Sequence, residues 1–184
     1  NSVWNDLKTY REVLLNIGWL DPKKPKDETD YRDHVDHDQL NFDATKELLK
    51  ILPVALPDHA ILLRPHPSER PETWIDHCRS IPRTEVVVGT SAAPYILASE
   101  LLIHTGCTTG VEAAVAGQPA LSLMPAGARI HDQYLSNIVN PSADNATGVI
   151  ALAREHLYGQ TRAAEPLTEQ IDAYLRSDPD RFAF

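Results

Sequence analysis

Four short apolar runs set the limits on this fold: AILL at 60–63, VVV at 86–88, LLI at 101–103 and ALSL at 120–123. Each is too short for a helix and shows little polar alternation, as expected of strands buried on both faces. The segments between them, Glu69 to Arg79, Pro94 to Ser99 and Thr109 to Ala116, suit helices. Strand and helix alternating at this spacing imply right-handed crossovers and a parallel sheet.

The flanks are helical on the same reasoning. Apolar residues at Trp4, Leu7, Tyr10, Val13, Leu14 and Ile17 keep the spacing of one helix face, with Gly18 as its stop. Residues 21–38, DPKKPKDETDYRDHVDHD, are highly charged and lack periodicity, so they read as a long exposed loop. A second helix is expected from Asp38 to Leu52, broken by Pro53 and Pro57. Beyond the last apolar run, helices are expected over His131 to Ile138, Ala146 to Tyr158 and Pro166 to Leu175, with SDPDRFAF as a surface-docked tail. No internal repeat or low-complexity tract interrupts the chain. One α/β domain of Rossmann-like type over 1–184 is the economical reading, with 160–184 as a C-terminal helix and tail.

Composition narrows the partners. A chain of 184 residues buries roughly two-thirds of its unfolded surface, enough for one core. Its net charge of −9 repels nucleic-acid phosphates and anionic lipid, so a phosphate ligand would need a small local site. No apolar run approaches the ~20 residues of a membrane span, and the start NSVWNDLKTY has no signal-peptide pattern. Cys78 and Cys107 make no disulfide framework; they read as small, partly buried thiols in a reducing, cytoplasmic compartment. The chain starts at Asn1 and holds a single Met, Met124, which leads to the expectation of a trimmed domain.

In an open parallel sheet, ligands gather at the C-terminal strand ends. The first such end is RPHPSE. There Arg64 supplies a planar cation and His66 a ring N–H, two prolines including Pro67 stiffen the turn, and Ser68 is placed to cap the next helix. An anion site and a merely rigid turn fit these residues equally. The second end, LLIHTGCTTGVEAAVAG, is the most specific segment: a strand into His104, a small-residue turn through Thr105, Gly106, Cys107 and Thr108, then a helix from Thr109. Helix-start N–H groups and the Thr108 and Thr109 hydroxyls would seat a phosphate, and Gly106 and Gly110 would let it approach. Glu112 would reach ribose hydroxyls. The competing reading is a capping box between Thr109 and Glu112, which needs no ligand. The third end, GTSAAPYILASE, offers Tyr95 to a nucleobase, although Tyr95, Ile96 and Leu97 fit a helix core better.

Other candidates weigh less. Asp33, His34, Asp36, His37 and Asp38 cluster in the charged segment, where a solvated loop is favoured over a metal site. HDQY at 131–134 opens a helix beside the fourth strand end, with Asp132 as its cap. No Walker loop, nucleophile elbow or paired CxxC is present, and no general base is assigned.

Together, RPHPSE and LLIHTGCTTGVEAAVAGQPALSLMP resemble the donor-binding half of GT-B type glycosyltransferases. The closest flavour is the bacterial surface-carbohydrate proteins and β-Kdo transferases of lipopolysaccharide and capsule assembly. The likeness covers Asp58 to Asn140. It implies a nucleotide-sugar donor, CMP-linked and Kdo-like, held without a metal at a single phosphate. His66 and Pro67 match that family's His-Pro motif near the donor phosphate. Thr108 and Thr109 match its hydroxyl pair, and Glu112 its ribose carboxylate. Two departures stand out: the chain holds one such domain, and a first strand is expected ahead of Asn1. A glycan acceptor and the catalytic carboxylate would belong to a further N-terminal domain, in a cytoplasmic protein able to work at the membrane periphery. The alternatives are the nucleotide domain of a UDP-sugar epimerase or polyol-phosphate transferase, and a non-catalytic α/β partner module.

Overall fold

The computed structural model describes residues 7–67, 69–89, 91–127 and 134–159. Its first element is helix α1 (Leu7–Asn16), which stops where Gly18 takes φ 74°, a left-handed value that glycine adopts freely. Helix α2 (Pro25–Ala55) follows, 31 residues long, or about 45 Å at 1.5 Å per residue. Pro25 suits the first helical position, where its missing N–H costs nothing, and Asp27 and Glu28 face the positive end of the helix dipole. At the other end, Arg83 donates to the Pro53 carbonyl (2.5 Å) and Arg154 to that of Ala55 (2.6 Å). Two cations therefore satisfy carbonyls left over by the last turn.

The strands form two small parallel sheets. β1 (Ile61–Leu63) pairs with β2 (Thr84–Val86), Ile61 opposite Thr84 and Leu63 opposite Val86. β3 (Leu102–His104), β4 (Ala120–Leu123) and β5 (Ser142–Ala143) make the second sheet in that order. Helices α3 (Pro71–Cys78), α4 (Ala93–Ala98), α5 (Thr109–Val115) and α6 (Leu135–Val139) lie between strands, and α7 (Ala146–Tyr158) closes the described chain. Asn145 caps α7, its side chain accepting from the Gly148 N–H at 2.8 Å.

The helix α2 joins the two sheets. Its Leu48 and Leu52 enter one core with Leu121 and Leu123 of β4 and Val149 and Ala153 of α7. Its Phe42 and Leu49 enter another with Trp74 and Cys78 of α3. Phe42 and Trp74 pack ring to ring, centroids 4.8 Å apart. Each large side chain so buried contributes about 1.5–3 kcal/mol. Alternation of short strands and helices is thus as expected, and the molecule is α/β with parallel sheets.

Three expectations change. Residues 21–38 are not an exposed loop: from Pro25 they are the first half of α2. Lys, Glu, Asp and Arg are compatible with a helix, and the periodicity was hidden because the inward face is polar. Tyr31, His34, Val35, Asp38 and Asn41 recur at helical spacing, and Val35, Asp38 and Asn41 are buried. Pro53 does not break α2 either, which runs two residues past it. Second, the strand at VVV sits two residues earlier, because pairing with β1 sets its register, and Val88 is left half-exposed. Third, burial on both faces holds only for β4, whose four residues are all buried; Leu62 in the middle of β1 is 54% exposed. β5 carries no apolar run and is defined by backbone bonds to β4, Ser122 N–H to Pro141 O and Met124 N–H to Ala143 O, both 2.8 Å. The helix at 166–175, the 160–184 tail and Trp4 lie outside the described residues.

Candidate ligand site

The C-terminal ends of β1 and β3 open into one cavity of about 320 Å³. His66 comes from the tip of β1, and Thr105, Gly106, Cys107 and Thr108 from the turn after β3. Another wall is α2, through His34, His37, Asp38 and Asn41, and the start of α6 adds Tyr134 and Ser136. A smaller void of about 10 Å³ shares His37, Asn41 and Thr105 and reaches Met124 and Asn137; it has room for about one water.

Beneath the turn lies His104, 5% exposed. Its Nδ1 accepts the Gly106 N–H at 3.1 Å. Asn140 Nδ2 lies 3.1 Å from its Nε2 while donating to the carbonyls of Gly110 (3.0 Å) and Ser136 (2.8 Å). Burial pushes the His104 pKa down to about 4, so the ring is neutral. His104 is therefore a strut that shapes the turn rather than a cavity residue. Gly110 serves the same packing, since a Cβ there would stand 2.3 Å from His104 Nε2. Gly106 has φ 84°, and a Cβ on it would sit 2.9 Å from the Tyr134 ring.

The turn does not use all of its own donors. N–H groups of Gly110, Val111 and Glu112 return to Cys107 and Thr108 carbonyls. Among the described residues, the N–H groups of Cys107, Thr108 and Thr109 have no acceptor. Three successive N–H groups after a left-handed glycine are a local donor set that suits an anion. The capping box, the competing reading of Thr109 and Glu112, is not formed: Thr108, not Thr109, is the N-cap, and no side chain caps α5. Thr109 Oγ1 instead meets Cys107 Sγ at 2.5 Å.

The β1 tip is organised by an unexpected residue. Glu69 Oε2 accepts from the His66 N–H (3.1 Å) and from Trp74 Nε1 (2.9 Å), anchoring the RPHPSE turn to the α3 core. Helix α3 begins only at Pro71, with Arg70 as N-cap, so the cap expected of Ser68 is not the one that starts it; Ser68 itself lies outside the described residues. Burial lowers the His66 pKa, and the Arg64 charge adds to the effect, so His66 offers a neutral ring at neutral pH.

Not every sequence candidate converges. Arg64 and Pro67 flank His66 without lining the cavity, and Thr109 sits just behind the turn. Glu112 is exposed on α5, away from the lining, and Tyr95 is half-buried in α4, also away. Tyr134 of HDQY does line it; residues 131–133 fall outside the described set. The α2 wall is what the sequence reading missed. Counting back from Leu52, Leu48 and Asn41 at helical spacing reaches Asp38 and His34, the signal that would have found it.

That wall carries a buried carboxylate. Asp38 is 1% exposed, and its Oδ2 lies 3.7 Å from His34 Nε2, one turn away. Burial and then the Asp38 charge push the Tyr10 phenol up to about 12, and the same two causes raise Tyr134. Burial lowers the His34 pKa. Tyr10 of α1 stacks on His34 with centroids 5.7 Å apart, and Arg11 pairs with Glu28, so α1 clamps the wall from outside. Asn41 Nδ2 and His37 Nε2 are 2.8 Å apart. Among the described residues, no three His, Cys, Asp or Glu side chains are gathered to hold a metal ion. Nor, among them, is any helix long and apolar enough to cross a membrane. No protein-family model, curated protein or solved structure matches the chain.

Proposed function

We propose that this chain binds the nucleotide-sugar donor of a glycosyltransferase, with a CMP-linked, Kdo-like sugar as the preferred class, as a Rossmann-like half of a GT-B enzyme of bacterial surface-polysaccharide synthesis. One observation carries the reading. Two motifs some forty residues apart, RPHPSE and HTGCTT, meet at one cavity beyond the strand ends. In parallel sheets that is where nucleotides sit. The volume lies at the low end of small-ligand sites, about 300–1,000 Å³, a scale suited to a nucleoside monophosphate.

The division of labour follows from the chemistry. The N–H groups of Cys107 and Thr108 and the Thr108 hydroxyl would take the phosphate, with the neutral His66 ring donating from the other strand tip. Donors aimed at a leaving phosphate favour the charge that grows on it as the glycosidic bond breaks. The bound sugar would face a glycan acceptor carried on a further domain. An acidic exterior is compatible with this arrangement, since the donors are local and mostly uncharged.

Titration calorimetry with CMP and UDP tests the proposal. CMP is expected to bind more tightly than UDP, and His66→Ala and Thr108→Ala are each expected to weaken it by ~1–3 kcal/mol, the scale of a lost hydrogen-bond partner. Tighter UDP binding would redirect the reading to a UDP-sugar enzyme. Absence of nucleotide binding would leave a non-catalytic partner module.

A further inference from the structure

We propose that Val111 and Leu135 form a subsite for the base of the ligand, beside the turn that takes its phosphate. The inference rests on the donor-binding reading and adds to it the placement of the nucleobase. The cavity lining is chemically uneven. The turn after β3 presents main-chain N–H groups and the Thr108 hydroxyl, and α2 contributes a polar wall. Among the described residues, Val111 of α5 and Leu135 of α6 are the aliphatic members of the lining.

A buried amide brings these two side chains together. Asn140 Nδ2 donates to the carbonyl of Gly110, the residue before Val111, at 3.0 Å. It also donates to the carbonyl of Ser136, the residue after Leu135, at 2.8 Å. The first turns of α5 and α6 are thereby fixed to each other. Leu135 is 40% exposed and Val111 is half-buried, so both keep apolar surface for a ligand to cover. Next to Leu135, the Tyr134 ring abuts the turn, since a Cβ on Gly106 would stand 2.9 Å from it. The apolar patch therefore adjoins the donors of the turn. Of the three parts of a sugar nucleotide, the base is the one that suits aliphatic side chains. A phosphate there would lose water with nothing to pair with, and a sugar would leave hydroxyls facing carbon. A base offers a flat π-face whatever its edge carries. Laying that face on Val111 and Leu135 takes apolar surface out of water.

The test compares CMP with ribose 5-phosphate, which keeps the sugar and phosphate and lacks the base, by titration calorimetry on the whole chain. The wild-type protein is expected to bind CMP roughly tenfold more tightly than ribose 5-phosphate. Leu135→Ala, a truncation at an exposed position, should remove most of that advantage while leaving ribose 5-phosphate affinity within about twofold. Val111→Thr, which keeps the branched shape and adds a hydroxyl, should do the same to a smaller degree. Equal wild-type affinity for the two ligands overturns the subsite. So does an equal loss of both ligands in either variant, or an unchanged advantage for CMP in both. Binding of neither ligand by the wild-type protein sinks the donor reading itself, a different result from loss of the base's share alone.

Discussion

The two halves of α2 keep the same spacing and bury opposite chemistries. From Phe42 onward the inward face is Phe42, Leu48, Leu49 and Leu52, which bind the two cores together. Before it, the inward face is His34, His37, Asp38 and Asn41, which line the cavity. One half is built for stability. The other gives up apolar burial, worth about 1.5–3 kcal/mol per large side chain, in exchange for polar groups at a fixed position. A single helix is therefore scaffold along one half and cavity wall along the other, and the two should come apart under mutation.

The largest effect is expected in the apolar half. Leu49→Ala removes a 3% exposed side chain from the core around Trp74 and should cost about 3 kcal/mol, read as a lower urea midpoint at an unchanged slope. CMP affinity of the folded fraction should not change. A loss of affinity as large as the loss of stability would show that the two halves are not separable.

Proton linkage sharpens the contrast next. The polar region holds His34 and His104 below the ordinary histidine value through burial, His104 at about 4. The unfolded chain takes up those protons near 6.5, while the folded chain resists. Stability is thus full above pH 6.5 and falls as the pH drops toward 4, with His104 accounting for roughly 3 kcal/mol of the loss. Urea melts across pH 5 to 8 should show this slope. His104→Gln should flatten it, and Leu49→Ala should lower the whole curve without changing its slope. A pH-independent wild-type midpoint over that range would contradict the buried neutral ring.

At the small end stands Val54, 83% exposed on the outer side of α2. Val54→Thr should move stability by less than about 0.5 kcal/mol and leave binding alone. A larger shift would mean that this side of the helix is covered by something in solution.

How much could be read without coordinates follows the same division. The segments 120–123 and 146–158 match β4 and α7 because their cues are local: an apolar run, and an Asn cap before an amphipathic stretch. Thr105 to Thr108 and His66 line the cavity, a position legible in the sequence because a small-residue turn after a strand points to the end of a sheet. Glu112 and Tyr95 were not resolvable by the same reasoning, because it locates an element's end but not which way a helical side chain turns. His104, another candidate, lies buried beneath the turn and off the cavity lining; its partner Asn140 is 36 positions away. The α2 wall was hidden for a deeper reason. Helices are recognised by apolar periodicity, and a helix that turns polar groups toward a cavity loses that mark there.

The clasp between Arg154 and the Ala55 carbonyl joins positions 99 residues apart, and the Tyr158 hydroxyl reaches His59 across the same interval. Closing so long an interval costs more chain entropy than bringing nearer partners such as β1 and β2 together. The cavity draws its walls from residues near 34, 66, 105 and 134, so no short fragment of the chain contains it. The cavity is a property of the completed chain. Any ligand that fits would act as a brace on the whole of it, raising the energy needed to open the first helix and the last alike.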